Sequence, residues 1–219
     1  MINIYKKRRV ILFLTFIIAV TFLLVSFTVY KTNQVETICI DAGHGGFDGG
    51  ATKKDILEKD ITLKASLFLG RMLEDTGYKV IYTRTKDISL KSDKVSDMKE
   101  RLKIINKKSN ILYISLHANT YPSNLVHGAQ VFYSEKNIQS KSLSEFIQEY
   151  LTLEDLTNKR LAKSIKDKYI TDNANIPGAI VELGFMSNEL DLKIMTSDKT
   201  LEYRCLMIYL GIIKYLEYN

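Results

Sequence analysis

Residues 38–50 read Ile-Cys-Ile-Asp-Ala-Gly-His-Gly-Gly-Phe-Asp-Gly-Gly. The apolar run that ends at Asp41 predicts a buried strand, and the glycines predict a tight turn directly after it. Because every glycine adds to the entropy lost on ordering, a histidine set among five of them indicates a turn built for a purpose. Two interpretations of His44 are open at this point: a phosphate cradle, and a metal ligand held in a turn.

Charge and composition limit the classes of partner. The chain has 219 residues, 46% hydrophobic composition and a net charge of +6, which suits one well-buried core. Residues 1–30 contain no acid and hold four of these positive charges, on Lys6, Lys7, Arg8 and Arg9. Only +2 remains for residues 31–219, so the strongly basic face that nucleic-acid binding requires is missing. We therefore expect no nucleic acid among the partners.

The N-terminal segment has the character of a membrane helix. Residues 10–30 contain no charged side chain and are long enough to cross a bilayer as a helix. The basic residues before them predict a cytoplasmic N-terminus, with the remainder outside. A cleaved signal peptide is the alternative, although residues 26–28 make a poor cleavage site. We predict a cytoplasmic basic tail at 1–9, an anchor or signal at 10–30, a linker at 31–36 and one extracytoplasmic domain at 37–219.

The two cysteines exclude some architectures. Cys39 and Cys205 are too few for a disulfide framework or a cysteine zinc knuckle. Both lie in apolar patterns and are predicted to be small buried hydrophobic residues. A single bridge between them remains open for an extracytoplasmic protein.

Apolar runs and amphipathic segments alternate along the predicted domain. Strands are predicted at 37–41, 78–83, 111–116, 129–133 and 179–181, and helices at 59–75, 96–106, 143–151 and 200–215. Strands that are apolar throughout and alternate with helices predict an α/β fold of three αβα layers, with a mainly parallel twisted sheet covered by helices on both faces. Ligands of such folds bind at the carboxyl ends of the strands.

Reactive side chains follow three of these strands. His44 follows the first, His117 follows the strand at 111–116, and Glu182 follows the strand at 179–181. Two of the three histidines of the chain are thus expected at one edge of the sheet. The phosphate interpretation fails, because a dinucleotide fingerprint from Gly43 needs glycine at position 48, which is Asp, and no P-loop sequence occurs. The metal interpretation of His44 is therefore favoured.

The residues leave the third ligand open. A catalytic zinc site takes three protein ligands and keeps one position for water. Glu58 begins the first predicted helix, where an acid also offsets the helix dipole without any metal. His127 precedes a strand, which is expected to put it at the opposite end from His44 and His117. Glu58 has only a modest lead over His127 on these grounds.

Glu182 is the candidate for proton transfer. One carboxylate beside a metal can take a proton from water and return it to a leaving amine. The alternative is a simple ion pair of Glu182 with Arg84 or Arg101. Asp41 and Asp48 are candidates to accept a hydrogen bond from a ligating histidine or to shape the turn.

Five motifs together resemble one known family. They are residues 41–46 (DAGHGG), 57–60 (LEKD), Thr83-Arg84 with Asp87, 115–119 (SLHAN) and 181–188 (VELGFMSN). In this order and spacing the chain, from about Ile38 to Tyr215, resembles the zinc-dependent N-acetylmuramoyl-L-alanine amidases of the type-3 amidase family. The resemblance implies hydrolysis of the amide between the lactyl group of N-acetylmuramic acid and L-alanine of the peptidoglycan stem peptide.

The resemblance also implies roles for individual residues. His44, Glu58 and His117 are expected to bind one zinc ion, and Glu182 is expected to be the catalytic acid and base. His127 matches no ligand position of the family. Asp41, Asn119 and Arg84 are expected to support these groups or to contact substrate.

The chain is most similar to the spore-cortex, germination-specific subgroup, because it has one anchor and no wall-binding repeats. That subgroup strips stem peptides so that muramic-δ-lactam can form. It implies a membrane-anchored enzyme acting on peptidoglycan in the cell wall or spore intermembrane space. Some members of the family require a helper protein to retain zinc, so an activator protein is a candidate partner. The alternatives are a zinc peptidase or carboxypeptidase, with Arg84 or Arg101 recognising a terminal carboxylate, and a non-catalytic wall-binding domain, which would not need Glu182.

Overall fold

A computed structural model of the chain describes Arg9, residues 12–22 and residues 36–218. The chain divides into two units, Met1–Val35 and Glu36–Asn219. In the first unit residues 12–22 are helical, while the remainder of the anchor predicted at 10–30 and most of the linker predicted at 31–36 lie outside the described residues. Over the described ranges, no helix is both long and apolar enough to cross a membrane.

The second unit is described over residues 36–218. Its strands are β1 Thr37–Ala42, β2 Thr52–Lys53, β3 Ile56–Leu57, β4 Lys79–Tyr82, β5 Asn110–Asn119, β6 Gln130–Tyr133, β7 Lys163–Ser164 and β8 Gly178–Phe185. Its helices are α1 Glu58–Asp75, α2 Lys94–Ile105, α3 Ile138–Glu154, α4 Tyr169–Asn173, α5 Glu189–Thr196 and α6 Asp198–Tyr218. Every predicted strand and helix of this unit is present. The additional elements β2, β3, β7, α4 and α5 are too short for a clear hydrophobic period.

One six-stranded sheet forms the middle layer, with the order β4-β1-β5-β8-β6-β7. Its neighbouring strands are parallel except for β6, which runs antiparallel to β8. The prediction of a mainly parallel sheet is therefore confirmed. The small hairpin of β2 and β3 lies apart from this sheet, directly before α1.

Alternate side chains of the central strands point to opposite faces of the sheet. On β1, Ile38 and Ile40 belong to the larger core, whereas Cys39 belongs to a second, smaller cluster. The larger core contains the apolar faces of α1, α3 and α6, and the smaller cluster contains residues of α2 and α4. Helices thus cover both faces, which confirms the three-layer prediction.

The cysteines are buried and free. Cys39 lies in the smaller cluster and Cys205 in the larger core, so the sheet separates them. The single bridge that the sequence left open is therefore wrong. Both residues are the small buried hydrophobic residues that the sequence predicts, and burial raises the pKa of both thiols.

A buried arginine joins three elements of the fold. Arg204 of α6 is 1% exposed and donates from Nε to both carboxylate oxygens of Glu154, at 3.1 and 3.0 Å. Its Nη1 also donates to the carbonyl oxygen of Leu183 in β8. The side chain therefore fixes α6 against the end of α3 and against the sheet.

We expect Arg204→Met to lower the free energy of unfolding by about 3–5 kcal/mol, because it leaves a buried carboxylate without its partner. Urea unfolding followed by circular dichroism measures this change. The matched control is Arg71→Met, whose pair with Glu202 is exposed and 3.8 Å long. A surface change of that kind is expected to stay within about 0.5 kcal/mol. Equal effects of the two variants would contradict the structural role of Arg204.

Candidate metal centre

The turn after β1 carries His44 in a left-handed backbone conformation, with φ of 61°. The carbonyl oxygens of this turn point at two buried arginines. Arg84 Nε donates to the carbonyl of Ala42 at 3.1 Å, and its Nη2 donates to the carbonyl of Gly43 at 2.9 Å. Arg101 Nη1 donates to the Ala42 carbonyl at 2.6 Å, and its Nη2 donates to the carbonyl of His44. Guanidinium groups therefore hold three successive peptide units of the turn.

Asp41 supports Arg101. Its buried carboxylate accepts hydrogen bonds from Arg101 Nη1 at 2.9 Å, from Thr83 Oγ1 at 2.8 Å and from Ser115 Oγ at 2.6 Å. Burial works to raise the pKa of Asp41, but the Arg101 charge and these donors outweigh it and hold the pKa below its usual value. The Asp41 carboxylate makes none of its hydrogen bonds to His44 or His117. Its contribution to the site passes through Arg101 and the turn.

Arg84 differs from Arg101 because, among the residues that the structure describes, no carboxylate lies within 4.0 Å of its guanidinium. Its Nη2 reaches the first turn of α1, where it donates to the Lys59 carbonyl at 2.8 Å and to Thr62 Oγ1 at 3.1 Å. Burial and the nearby Arg101 charge lower the pKa of Arg84 to about 10. Arg84 thus joins the histidine turn to α1. Its N–H groups donate to backbone carbonyls and to the Thr62 hydroxyl rather than to solvent.

Glu58, the first residue of α1, lies between two histidines. Its Oε1 is 3.1 Å from His44 Nε2 and 2.9 Å from His117 Nδ1, and it also accepts a hydrogen bond from the Ala118 N–H at 3.0 Å. Its Oε2 accepts from the Ala51 N–H at 2.8 Å. The two imidazole rings are 5.1 Å apart and nearly perpendicular. Backbone N–H groups therefore hold both carboxylate oxygens, and Oε1 also faces both rings.

Two glycines make room for these groups. A Cβ at Gly43 would lie 2.4 Å from the His117 ring, which is closer than van der Waals contact allows. A Cβ at Gly50 would lie 2.6 Å from Glu58 Oε2, and Gly50 has a φ of +69°. These contacts explain why the stretch needs glycine at both positions: side chains there would displace the ligand candidates.

The donor set suits zinc. One ligand atom each from His44, Glu58 and His117 can be chosen so that all three lie within 4.8 Å of one another. Two imidazoles and one carboxylate form a common ligand set of catalytic zinc sites. Although burial opposes it, hydrogen bonding to His117 and His44 keeps the pKa of Glu58 well below its usual range, so the carboxylate is ionised. The same contact with Glu58 raises the pKa of His117 against the opposing effect of burial.

The prediction that His127 lies at the opposite end of the sheet from His44 and His117 is wrong. His127 is nevertheless not part of this cluster. Because β6 runs antiparallel to β8 and pairs Gln130 with Glu182, the start of β6 lies at the same edge of the sheet as the other histidines. His127 nevertheless lies three residues before β6, and its Nδ1 is 4.0 Å from Asp155. Glu58, the other candidate for third ligand, is the one that the structure puts beside both rings.

Glu182 is the neighbour of His117 across the sheet, since the two residues are paired in the register of β5 and β8. Both lie inside their strands, which extend further than the sequence predicts. Glu182 Oε2 is buried and has no hydrogen-bond partner among the described residues. Burial, with a contribution from the Glu58 charge, raises the pKa of Glu182. The alternative ion pair with Arg84 or Arg101 is wrong, because both guanidinium groups are taken up elsewhere.

Two further polar residues adjoin the cluster. Asp48 Oδ2 is 3.0 Å from His44 Nδ1, which places a carboxylate behind the imidazole, but the angle between the two groups does not make a hydrogen bond. Asn119 lies at the end of β5, and its Oδ1 accepts a hydrogen bond from the Thr120 N–H at 2.8 Å.

An open cleft of about 320 Å³ lies over the cluster, and we call it the site cleft. Besides the histidines and the two glutamates, its lining includes Lys94, Met98, Asn119, Lys168 and Tyr169. Its volume falls in the range of ligand-binding clefts. Sequence reasoning missed both lysines: Lys94 is the first residue of α2 and Lys168 directly precedes α4, and neither belongs to a periodic pattern.

Known proteins match this chain over most of its length. Residues 38–214 match a family model described as N-acetylmuramoyl-L-alanine amidase. The germination-specific N-acetylmuramoyl-L-alanine amidase of Bacillus subtilis (strain 168) is 37% identical over 190 residues, which cover 82% of this chain and 79% of the relative.

Solved structures share the fold. The CwlD amidase from Clostridioides difficile, determined in complex with the GerS lipoprotein, has 38% identity and a TM-score of 0.80, with 84% of this chain and 100% of that chain covered. An N-acetylmuramoyl-L-alanine amidase from Clostridium difficile 630 has a TM-score of 0.76 over 84% of this chain and 98% of its own, and at 24% identity it supports the fold alone. Since the family model spans most of the chain, the chain belongs to the N-acetylmuramoyl-L-alanine amidase family.

Proposed function

We propose that the chain is a zinc-dependent peptidoglycan hydrolase that cleaves the amide between the lactyl group of N-acetylmuramic acid and L-alanine of the stem peptide. One observation carries the proposal: two imidazoles and an ionised carboxylate converge within 4.8 Å, beside a buried carboxyl oxygen that has no partner. His44, Glu58 and His117 would hold one zinc ion. When bound, zinc supplies Lewis-acid polarisation of the scissile carbonyl and makes water acidic enough to attack at neutral pH.

The protein groups supply proton transfer and orientation. Glu182 accepts the proton of the attacking water on its free Oε2 and then gives it to the nitrogen of L-alanine, which leaves as an amine. A raised pKa suits this task, because the group must both take and return the proton. The Asp48 carboxylate lies 3.0 Å behind the ring of His44, and the Ala118 and Ala51 N–H groups fix Glu58.

The alternatives receive less support. A carboxypeptidase was expected to use Arg84 or Arg101 for a terminal carboxylate, and both side chains are instead occupied by the turn and by Asp41. A wall-binding domain has no use for a buried carboxyl group that lacks a partner, which is costly to bury.

We place the enzyme outside the cytoplasm, anchored by residues 10–30, where 21 consecutive residues lack charge. A role in spore-cortex maturation, with formation of muramic-δ-lactam, is supported by the germination-specific name of the Bacillus subtilis relative. An activator protein is supported by the complex of the Clostridioides difficile relative with a lipoprotein.

Removing a ligand is expected to abolish zinc binding. We expect His44→Ala and His117→Ala to lower zinc affinity by more than the roughly 10–100-fold that loss of an outer contact costs, because each removes a donor atom itself. Competition with a chromogenic chelator measures the affinity. His127→Ala is the matched control and should bind zinc like the unchanged protein. Loss of zinc in the control, or retention in both ligand variants, would contradict the assignment.

A Glu182 variant distinguishes a role in proton transfer from a role in zinc binding. Glu182→Gln is expected to lower kcat by about 10²–10⁴-fold while zinc content and fold stay unchanged, because the amide cannot accept the proton. Hydrolysis of purified peptidoglycan, with zinc content determined in parallel, tests this. Glu189→Gln, at an exposed acid of α5, is the matched control. Comparable activity of both variants would exclude Glu182 from catalysis.

The bond that is cleaved distinguishes an amidase from a peptidase. Mass spectrometry of digested peptidoglycan is expected to detect intact stem peptides with a free L-alanine amine, and a chelator is expected to suppress their release. Products cut within the peptide would instead assign the chain to the peptidases.

A further inference from the structure

Lys168 is an unpaired cation at the site cleft. Its side chain is exposed, and the residue lines the cleft together with His44, Glu58, His117 and Glu182. Over the part of the chain that the structure describes, no carboxylate lies within 4.0 Å of its ammonium group. Lys94, the other lysine of the cleft, already has a partner, because its Nζ is 3.3 Å from Asp48 Oδ2. Lys168 therefore offers the cleft a positive charge that no protein group neutralises.

The backbone around Lys168 is fixed in place. The Lys168 N–H donates to Asp172 Oδ2 at 3.1 Å, and the Ile165 N–H donates to the Tyr133 carbonyl at 2.9 Å. Asp167, the preceding residue, has a φ of 60°, a conformation that residues other than glycine rarely adopt. These contacts hold the turn that presents Lys168 at the start of α4. A strained and anchored turn is a costly way to expose a lysine without a partner.

The two glutamates of the site cleft do not neutralise the ammonium charge of Lys168. Both oxygens of Glu58 accept hydrogen bonds from backbone N–H groups, and Oε1 also contacts the two histidines. Burial of Glu182 raises the pKa of its carboxyl group, and the Lys168 charge acts in the opposite direction without forming an ion pair. The ammonium thus lies near the proposed reacting groups but beyond contact with them, where part of a bound substrate can reach it.

We propose that Lys168 recognises a free carboxylate of the substrate, namely the carboxylate of the glutamyl residue that follows L-alanine in the stem peptide. This inference rests on the proposed function, because it assigns the substrate group that lies one residue beyond the scissile amide. Stem peptides exist with this group either as a charged carboxylate or as a neutral carboxamide. Lys168 makes the enzyme selective for the acidic form.

The neighbouring side chains suit this ligand. Met98, Tyr169 and Ile170 provide an apolar wall of the cleft beside Lys168. An ion pair partly shielded by such a wall is stronger than one on an open surface, because the local dielectric is lower. The wall would contact the alanyl methyl group and the backbone of the stem peptide.

Binding of two matched ligands tests the inference independently of hydrolysis. The ligands are N-acetylmuramoyl-L-alanyl-D-glutamate and its D-isoglutamine analogue, each with the γ-carboxyl group blocked as a methylamide so that they differ only in an α-carboxylate or an α-carboxamide. Their affinities are measured by calorimetry on the zinc-loaded full chain carrying Glu182→Gln. A charged hydrogen bond predicts a preference of about 10-fold or more for the carboxylate ligand. Adding Lys168→Met should remove this preference with little change for the carboxamide ligand, and Lys168→Arg should retain most of it.

Lys166→Met is the matched control, since this exposed lysine lies two residues away and outside the site cleft, and the preference should survive there. Equal affinity for both ligands, equal loss of both in Lys168→Met, or no binding of either would overturn the inference. Hydrolysis by the unchanged protein decides the proposed function separately. Cleavage of both ligands at the lactyl amide without any preference would leave the amidase assignment standing and remove the role of Lys168.

Discussion

Two buried guanidinium groups determine how the chain leaves β1, and the site depends on them. The peptide units after Asp41 turn sharply, so their carbonyl oxygens lose the partners that a continued strand would supply. Arg84 and Arg101 provide those partners from the polypeptide that follows β4 and from α2. A buried guanidinium without a countercharge is costly, and Asp41 compensates Arg101 directly. The turn therefore presents His44 in one conformation although it is rich in glycine.

Hydrogen bonds from the fold also hold the carboxylate at the centre of the cluster. Glu58 is held by backbone N–H groups of Ala51 and Ala118 before any metal is considered, so its orientation belongs to the fold. Its negative charge stabilises the two imidazoles at close range. Without it, the two rings would repel each other when both are protonated. Glu182 Oε2 is buried beside this cluster and has no hydrogen-bond partner among the described residues. A group that the fold leaves unsatisfied beside a complete donor set is suited to act on a substrate.

Much of this arrangement follows from the sequence. Apolar strands alternating with helices predict a covered parallel sheet, and the rule that ligands bind at strand ends brings His44, His117 and Glu182 to one edge. The third ligand does not follow, because spacing along the chain could not separate Glu58 from His127. The direction of β6 does not follow either, because nothing in its sequence distinguishes an antiparallel strand from a parallel one. The predicted position of His127 is wrong for this reason. Lys168 directly precedes α4 and belongs to no periodic pattern.

We propose that the fold arranges His44, Glu58 and His117 as one zinc site next to Glu182. A crystal structure of the zinc-loaded protein, with anomalous data collected on both sides of the zinc absorption edge, tests it most directly. We expect one strong peak within about 2.0–2.2 Å of donor atoms from His44, Glu58 and His117, with the remaining position open toward Glu182. A peak at His127 and Asp155, or the absence of a peak between His44 and His117, would contradict this assignment.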